Sequence, residues 1–429
     1  MLHWLRSPLS SEVTDILSEL LHSQFWPEAQ IRHYQWDKLK KLISHAYDNV
    51  PYYKALFKKK GITPGDIQNI DDVKLLPILS KQDIQNSLDD MVASNVDKCK
   101  LALNSTGGST GMPLNFYQDH DYKKWADAAR LRAWRYVPGC DLSSVEAVLW
   151  GAIRDVGKGF LYRRAFREVL RGGVLRLNTF DLDEVALKKY LLLFDLFKPP
   201  LVRGYATSLY FLAEYIEDNN IKIHRPKAIV SSTEVLHQRM RDKIETVLKA
   251  PVFDSYGCRE VSQIAMECHE HNGFHVAFEN QYVELIDQNI IVTNLNNYAM
   301  PFIRYKLGDM AQDLIREPCR CGRHSPRLVN LLGRDNDNIK LPNGKIINGE
   351  FFEFLFFGMS DVVQYQVVYH KKEQIMRIKI HLKNSKTDPG QTIRQYMEKN
   401  FDFSNIEINY TANFDKTPTG KLRFVYMVD

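Results

Sequence analysis

Pro251-Val252-Phe253-Asp254-Ser255-Tyr256-Gly257-Cys258-Arg259-Glu260 runs from a short apolar strand straight into a polar, glycine-bearing turn. Strand ends are where α/β sheets place their ligands. An aromatic ring such as Tyr256 can cover a purine there, and a carboxylate such as Glu260 can hold Mg²⁺ beside phosphates. The same string also reads as a strand-terminating turn with a solvated arginine and glutamate, so its neighbours have to decide.

Working outward, the stretch from 101 to about 260 alternates short apolar strand candidates with longer helical segments. Ala147 to Trp150, Leu201 to Val202, Ala228 to Val230 and Val252 to Phe253 are the strands; Asp183 to Phe197 and Leu236 to Leu248 are two of the helices. This alternation predicts an α/β layer structure with parallel or mixed sheets flanked by helices. Toward the N-terminus, residues 11–60 read as helices. Leu39, Leu42, Ile43 and Ala46 fall on one helical face, and Pro51 breaks that pattern. Residues 64–100 read as polar and helical after Pro64. Residues 274–315 read as a small β unit with Tyr282 to Ile286 and Ile290 to Thr293 as strands.

Beyond a polar, Gly- and Asn-rich junction at 333–347 the pattern changes. Phe351 to Phe357 reads as a short helix, Val362 to Tyr369 and Gln374 to Leu382 as a hairpin, Gln391 to Lys399 as a helix and Ile406 to Tyr410 as a strand. The expected division is a large domain over 1–333 and a small α+β domain over 334–429.

The bulk properties bound the class. Over 429 residues the chain is 44% hydrophobic and 25% charged, ordinary for a globular protein, and its net charge of +5 gathers in no block, which gives no reason to expect a nucleic-acid partner. No apolar run is long enough to span a bilayer and the start does not read as a secretory signal. Six cysteines in a chain of this size argue against a disulfide framework, so a reducing, cytoplasmic setting is expected.

Four further segments carry polar chemistry. Asn104-Ser105-Thr106-Gly107-Gly108-Ser109-Thr110-Gly111-Met112-Pro113 offers amides and hydroxyls that can cradle phosphate oxygens, though it is not a Walker A loop. Pro301 to Asp309 ends in a carboxylate after a Gly turn, suited to the two hydroxyls of a ribose. Gly333 to Lys340 sits at the junction, and Thr417-Pro418-Thr419-Gly420-Lys421-Leu422-Arg423 places a lysine on a Gly turn. Each alone also reads as a surface turn or linker. Trp134, Trp150 and Tyr205 read equally as pocket walls or as core.

In this order and with these separations, the five segments resemble the adenylate-forming superfamily of acyl-CoA synthetases, peptide-synthetase adenylation domains and luciferases. The match runs from Asn104 to Arg423. Within it the chain looks most like the phenylacetate–CoA ligase group, and in particular the branch linked to capsular and surface polysaccharide synthesis, on Asn49-Val50-Pro51-Tyr52-Tyr53, the short length and the cysteine pattern. Cys268, His275, Cys319 and Cys321 resemble that group's Cys…His…Cys-x-Cys arrangement and would bind a structural zinc, with His269 and His271 as competing ligands.

The resemblance implies an acid ligase that forms an acyl-adenylate from ATP, releases pyrophosphate and passes the acyl group to coenzyme A. An amine acceptor in surface polysaccharide synthesis, giving an amide, is one alternative; a non-catalytic nucleotide-binding zinc scaffold is another. Ser105, Thr106, Gly107, Gly108, Ser109, Thr110 and Gly111 would hold the pyrophosphate portion. Glu260 would bind Mg²⁺. Tyr256 would stack on adenine within Asp254, Ser255 and Gly257, and Ser232, Thr233 and Glu234 would line its other side. Asp309 and Arg334 would bind the ribose. Lys421, with Glu260 and Thr106, would act on the reacting phosphate. The small domain would pivot at Asp335 to Asp337 between steps. Met112 and Asn336 depart from the group's usual lysine and hinge aspartate.

Overall fold

The structure is a computed structural model, and the residues it describes are 10–106, 114–150, 161–178, 184–334, 339–343, 345–347, 352, 355–356, 359, 361–383, 388–415 and 424–429. The N-terminal helices are α1 (Ser11–Ser23), α2 (Glu28–Asn49) and α3 (Pro51–Lys60). Pro51 does more than break a pattern. It stands at the first position of α3, where its missing N–H costs nothing, and extended Val50 joins the two helices.

The expected helical run over 64–100 is a correction. It is a chain of short 3₁₀ segments with one short helix, α4 (Lys81–Asn86). The polar residues that suited a helix are caps instead. Thr63 with Asp66, Asn69 with Asp72 and Ser80 with Asp83 form capping boxes, each restarting the backbone before a long helix can build.

A hairpin of β1 (Ala102–Ser105) and β2 (Asn115–Gln118) leads into α5 (His120–Leu131). Then follow β3 (Glu146–Trp150), α6 (Leu161–Gly172), β4 (Val174–Asn178), α7 (Glu184–Phe197), β5 (Leu201–Gly204), α8 (Ala206–Asp218), β6 (Ala228–Ser232), α9 (Gln238–Leu248) and β7 (Val252–Cys258). Next come β8 (Ser262–Glu267), β9 (Phe274–Val276), β10 (Gln281–Ile286), β11 (Asn289–Asn294), β12 (Tyr305–Ile315) and β13 (Arg327–Arg334).

One mixed sheet holds most of these strands, in the order β10-β11-β12-β13-β9-β8-β7-β6-β5-β3-β4. From β4 to β7 all pairs are parallel; from β7 outward through β8 all are antiparallel. Residues 274–315 are therefore no separate β unit. His275 pairs with Met266 on one side and Arg327 on the other, which splices that stretch into the main sheet.

Each half of the sheet has its own core. Leu149, Val202, Ile229 and Val252 pack with Phe194, Leu209 and Ile244 of the crossover helices. Val283, Ile290, Tyr305 and Leu328 pack with Leu39, Leu42, Tyr53 and Phe57 of α2 and α3. Both are near-continuous burials of aliphatic side chains, the main driving force for such layers.

After 334 come the short ribbon β14 (Ile339–Lys340) and β15 (Ile346–Ile347), then β16 (Val362–His370), β17 (Ile375–Leu382), α10 (Gly390–Phe401), β18 (Ile406–Tyr410) and β19 (Val425–Val428). The last four strands form a sheet ordered β18-β17-β16-β19. Val367, Ile378, Ile393 and Met397 lie in a core drawn from this part of the chain. Of the helix expected over 351–357, Phe352, Leu355 and Phe356 are helical and the other positions lie outside the described residues. No described helix is long and apolar enough to cross a membrane.

Candidate active site

The parallel strands β3, β5 and β6 end at Trp150, Gly204 and Ser232, and β7 runs on past Ser255, the partner of Ser232, to Cys258. Asp254 to Cys258 is part of β7 rather than a turn beyond it, which corrects the sequence expectation. The antiparallel partner β8 keeps the backbone extended: Ser255 pairs with Met266 and Cys258 with Ser262. Gly257 lies just past a register shift, where an added Cβ would stand 2.5 Å from the Ser262 carbonyl.

Two of the predicted nucleotide residues meet directly. The Tyr256 hydroxyl donates to Asp309 Oδ2 at 2.8 Å. Asp309 lies on β12, not in a turn, and its Cα partner across the ladder is Arg334 at the end of β13. The Gly turn read from the sequence survives as Gly308 at φ +84, followed by a register shift at Met310. Among the residues predicted for ribose and adenine, Tyr256, Asp309 and the backbone of Arg334 thus share one corner.

Glu260 is held from three sides. Its carbonyl accepts from Gln118 Nε2 at 3.1 Å and from the Tyr122 hydroxyl at 3.3 Å, and its Oε1 accepts from the Tyr305 hydroxyl at 3.4 Å. Arg259 Nη1 donates to the Ser105 carbonyl at 3.0 Å, tying β7's end to the strand that enters the expected phosphate loop. Thr106 closes the base of that loop. Its N–H donates to the Leu114 carbonyl at 2.9 Å, and the Leu114 N–H donates to its Oγ1 at 3.0 Å. Gly107, Gly108, Ser109, Thr110, Gly111 and Met112 lie outside the described residues, as do Asp335 to Asp337, Asn336 among them, and Lys421.

Ser232 ends β6, and Thr233 follows at φ +80. Glu234 turns back: its Oε2 accepts from the Thr207 N–H at 2.9 Å and hydroxyl at 2.7 Å, an anion at the first turn of α8. Asp254 is buried. Burial first, and then the nearby Glu267, pushes its carboxyl up to about 7. Its Oδ1 accepts from the Ser255 N–H at 3.0 Å, so this carboxyl is spent inside the strand.

The second constellation lies just after β8, on β9 and in the chain before β13. Cys268, His275, Cys319 and Cys321 bring one ligand atom each within 4.8 Å of one another. The Sγ atoms of Cys268 and Cys319 are 3.8 Å apart, and Cys321 Sγ is 3.4 Å from His275 Nε2. A tetrahedron with Zn–S of ~2.3 Å and Zn–N of ~2.0 Å has edges of about 3.8 and 3.5 Å, so the four donors fit that ion. A disulfide needs sulfurs about 2 Å apart, and all six cysteines are free.

His275 presents Nε2 because its Nδ1 is engaged by Ser325 Oγ at 3.0 Å. Burial, and then Arg323 and Arg327, hold this imidazole neutral down to about 3. Burial pushes the Cys268 thiol up to about 12. On Cys321 burial acts the same way, but the Arg323 backbone and guanidinium outweigh it and lower the thiol. The competing histidines are used elsewhere: His271 lies 3.2 Å from Arg241 Nη1 and 3.3 Å from Glu267 Oε2, and exposed His269 lies beside Glu270.

Several residues of this neighbourhood carried no sequence signal. Thr207, Gln118, Tyr122 and Ser325 act through contacts distant in sequence, and no local motif marks such residues.

No protein-family model matches the chain. It is 25% identical over 405 residues to Protein CapK of Staphylococcus aureus, covering 91% of this chain and 88% of that one. It is 24% identical over 373 residues to the phenylacetate-coenzyme A ligase of Escherichia coli, covering 82% of each. Among solved structures, 2-hydroxyisobutyryl-CoA ligase in a postadenylation state superposes with a TM-score of 0.73 at 17% identity, over 100% of this chain and 94% of that one.

Proposed function

The chain belongs to the adenylate-forming superfamily, and from that premise we propose that it is an ATP-dependent acid ligase that transfers its acyl group to coenzyme A. The observation that carries the reading is the corner where Tyr256 bonds Asp309, Asp309 faces Arg334 across the ladder, and Glu260 is fixed by Tyr305. A carboxylate pair set apart in this way suits two tasks, one on the ribose and one on the phosphates.

In the first half-reaction an oxygen of the acid attacks the α-phosphorus of ATP and pyrophosphate leaves. Asp309 accepts from the ribose hydroxyls, and Tyr256 covers the base beside it. Ser105 to Gly111 holds the departing phosphates; Arg259 and the Thr106–Leu114 bridge fix the frame of that loop. Glu260 is the residue for Mg²⁺, which neutralises phosphate charge when bound. Lys421 supplies a cation at the forming bond. In the second half-reaction the thiol of coenzyme A attacks the carbonyl and AMP leaves. Residues 334–429, with their own core, turn at Asp335 to Asp337 to exchange the two arrangements.

The Cys268, His275, Cys319, Cys321 set is read as a structural zinc site, because four protein ligands leave no open position. Free thiols and ATP chemistry suit the cytoplasm. Likeness to the surface-polysaccharide branch gives the acid a place in that chemistry.

The test is acid-dependent exchange of labelled pyrophosphate into ATP across a panel of carboxylic acids, followed by coenzyme A or amines. Exchange that needs an acid, with thioester formed only when coenzyme A is added, supports the reading. Purified protein that binds ATP yet exchanges with none of the acids would overturn it.

A further inference from the structure

One residue on the sheet's ligand-bearing edge has a task the nucleotide does not give it. Val148, Arg203, Val230 and Phe253 are register partners on β3, β5, β6 and β7, so their side chains share one face of the sheet. Three of the four are buried apolar residues; the fourth is an arginine.

That face is covered by the chain after α5. Here the helix widens: Val137 N–H donates to the Arg132 carbonyl at 3.0 Å and Cys140 N–H to the Arg135 carbonyl at 2.7 Å, both five residues back. Such wide turns rotate side chains out of helical register and recur at functional sites. This one lays Trp134 over the strands. Its Nε1 donates to Ser255 Oγ at 3.0 Å, one residue from Tyr256. Its ring also lies 4.0 Å from the Arg203 guanidinium carbon. Arg203 also lies 5.7 Å from the Trp150 ring, and the Trp150 and Tyr205 rings lie 4.5 Å apart, tilted by 34°. Arg203 therefore lies near two indoles, one residue before the end of β5, with β6 between it and the strand that carries Tyr256.

The charges around it do not cancel. Glu146 accepts from Arg203 Nε at 2.6 Å through Oε1 and from Arg135 Nη2 at 2.9 Å through Oε2. One carboxylate thus serves two guanidiniums, and Arg135 spends its Nη1 on the Asp141 and Ser144 carbonyls. Arg130, near the same tryptophan, is neutralised by Asp127. The group retains one positive charge. The Nη groups of Arg203 make no hydrogen bond among the described residues. Only 12% of its side chain is exposed, so an anion meeting it there is weakly screened by solvent.

We infer that Arg203 is a specificity-determining residue, and that the acid activated by this enzyme carries a second carboxylate at the far end of a flat body. This deepens the adenylation reading and rests on it. The reacting carboxylate faces the nucleotide residues. The body lies against Trp134, Trp150 and Tyr205. The distal carboxylate meets the two Nη groups of Arg203 as a forked, charge-assisted pair. A neutral acid of the same shape would leave that cation without a partner in a nearly dry place, which is how polar sites reject analogues that lack the matching group.

The experiment is acid-dependent ATP–pyrophosphate exchange by the full chain with matched pairs: benzoate against terephthalate, and phenylacetate against 1,4-phenylenediacetate. The diacid of a pair should exceed its monoacid in kcat/KM by roughly tenfold or more, the scale of one charge-assisted contact. Arg203→Gln should erase that ratio while leaving exchange with the monoacid standing; Arg203→Lys should keep part of it. A purely structural role would lower both acids alike and leave the ratio unmoved. Exchange that favours the monoacids, or a ratio unchanged in Arg203→Gln, overturns the inference and leaves the adenylation reading intact. Exchange with no acid at all overturns the adenylation reading and this inference with it. If Arg203→Gln does not fold, the wild-type ratio and Arg203→Lys decide.

Discussion

The two halves of the main sheet are built from similar residues and do different work. From β4 to β7 the strands are parallel, each followed by or packed against a helix, and they end together at one edge. From β8 outward they are antiparallel, so neighbouring strands end at opposite edges and share no common edge of strand ends. The parallel half offers open loops to ligands; the antiparallel half offers rigid side chains at fixed register. β7 belongs to both, pairing parallel with β6 and antiparallel with β8, and it is the strand that carries Tyr256. Placing chemistry on such a seam gives reach from one side and rigidity from the other.

The sharpest way to break this division is to remove the residues proposed to face the nucleotide. Glu260→Gln and Asp309→Ala should each lower adenylate formation by ~10²-fold or more, read by pyrophosphate exchange, with circular dichroism unchanged. Wild-type exchange in either variant removes that assignment. Lys421→Ala should slow adenylation by a similar factor, roughly 10²-fold, yet transfer acyl from preformed adenylate to coenzyme A at near the normal rate. Equal loss in both steps would make Lys421 a residue of the fold. Normal adenylation would move the role elsewhere, Lys416 being the first to examine.

A smaller effect should appear in the antiparallel half. Metal analysis should find about one zinc per chain. Cys319→Ser should lose the ion and about 3 kcal/mol or more of stability, because it leaves buried ligands without their partner. Metal-free protein with an unchanged melting temperature would contradict a structural role.

The seam itself makes a pH prediction. The Asp254 carboxyl lies near 7 in the folded protein, above its ordinary 3.8. Its contribution to stability is therefore full below about pH 4 and lost as pH rises through 7. Asp254→Asn should flatten that decline, gaining on the order of 1–4 kcal/mol relative to wild type between pH 5 and 8. Glu267 is shifted the other way, downward, so its effect appears only in acid below that window. Denaturant midpoints for the two proteins at both pH values settle it; parallel declines would mean that Asp254 is ionised throughout.

The two halves also differed in how far they could be read from sequence. Short apolar runs between helical patterns marked β3, β5, β6 and β7 plainly, because both faces of a parallel strand are buried. Of the antiparallel strands β10 and β11 were visible, whereas β8 and β13 were not, nor was the membership of all of them in one sheet. That depends on His275 pairing with both Met266 and Arg327, contacts that no local pattern encodes. The run over 64–100 misled because Thr63, Asn69 and Ser80 suit helix starts and were used only as starts. At the site, Tyr256, Glu260 and Asp309 stood out through glycine-bearing motifs. Arg203 did not: a lone arginine beside a glycine resembles any strand end, and only Trp134 arriving from a widened helical turn gives it meaning.

The most direct measurement follows oxygen. The acid is supplied with ¹⁸O in the reacting carboxylate, and the AMP released on thioester formation is analysed by mass spectrometry. If the carboxylate attacks the α-phosphorus and the acyl group then leaves to coenzyme A, each AMP should carry one ¹⁸O and the other product should be pyrophosphate. Unlabelled AMP, or label appearing in inorganic phosphate alongside ADP, would contradict adenylation at this site.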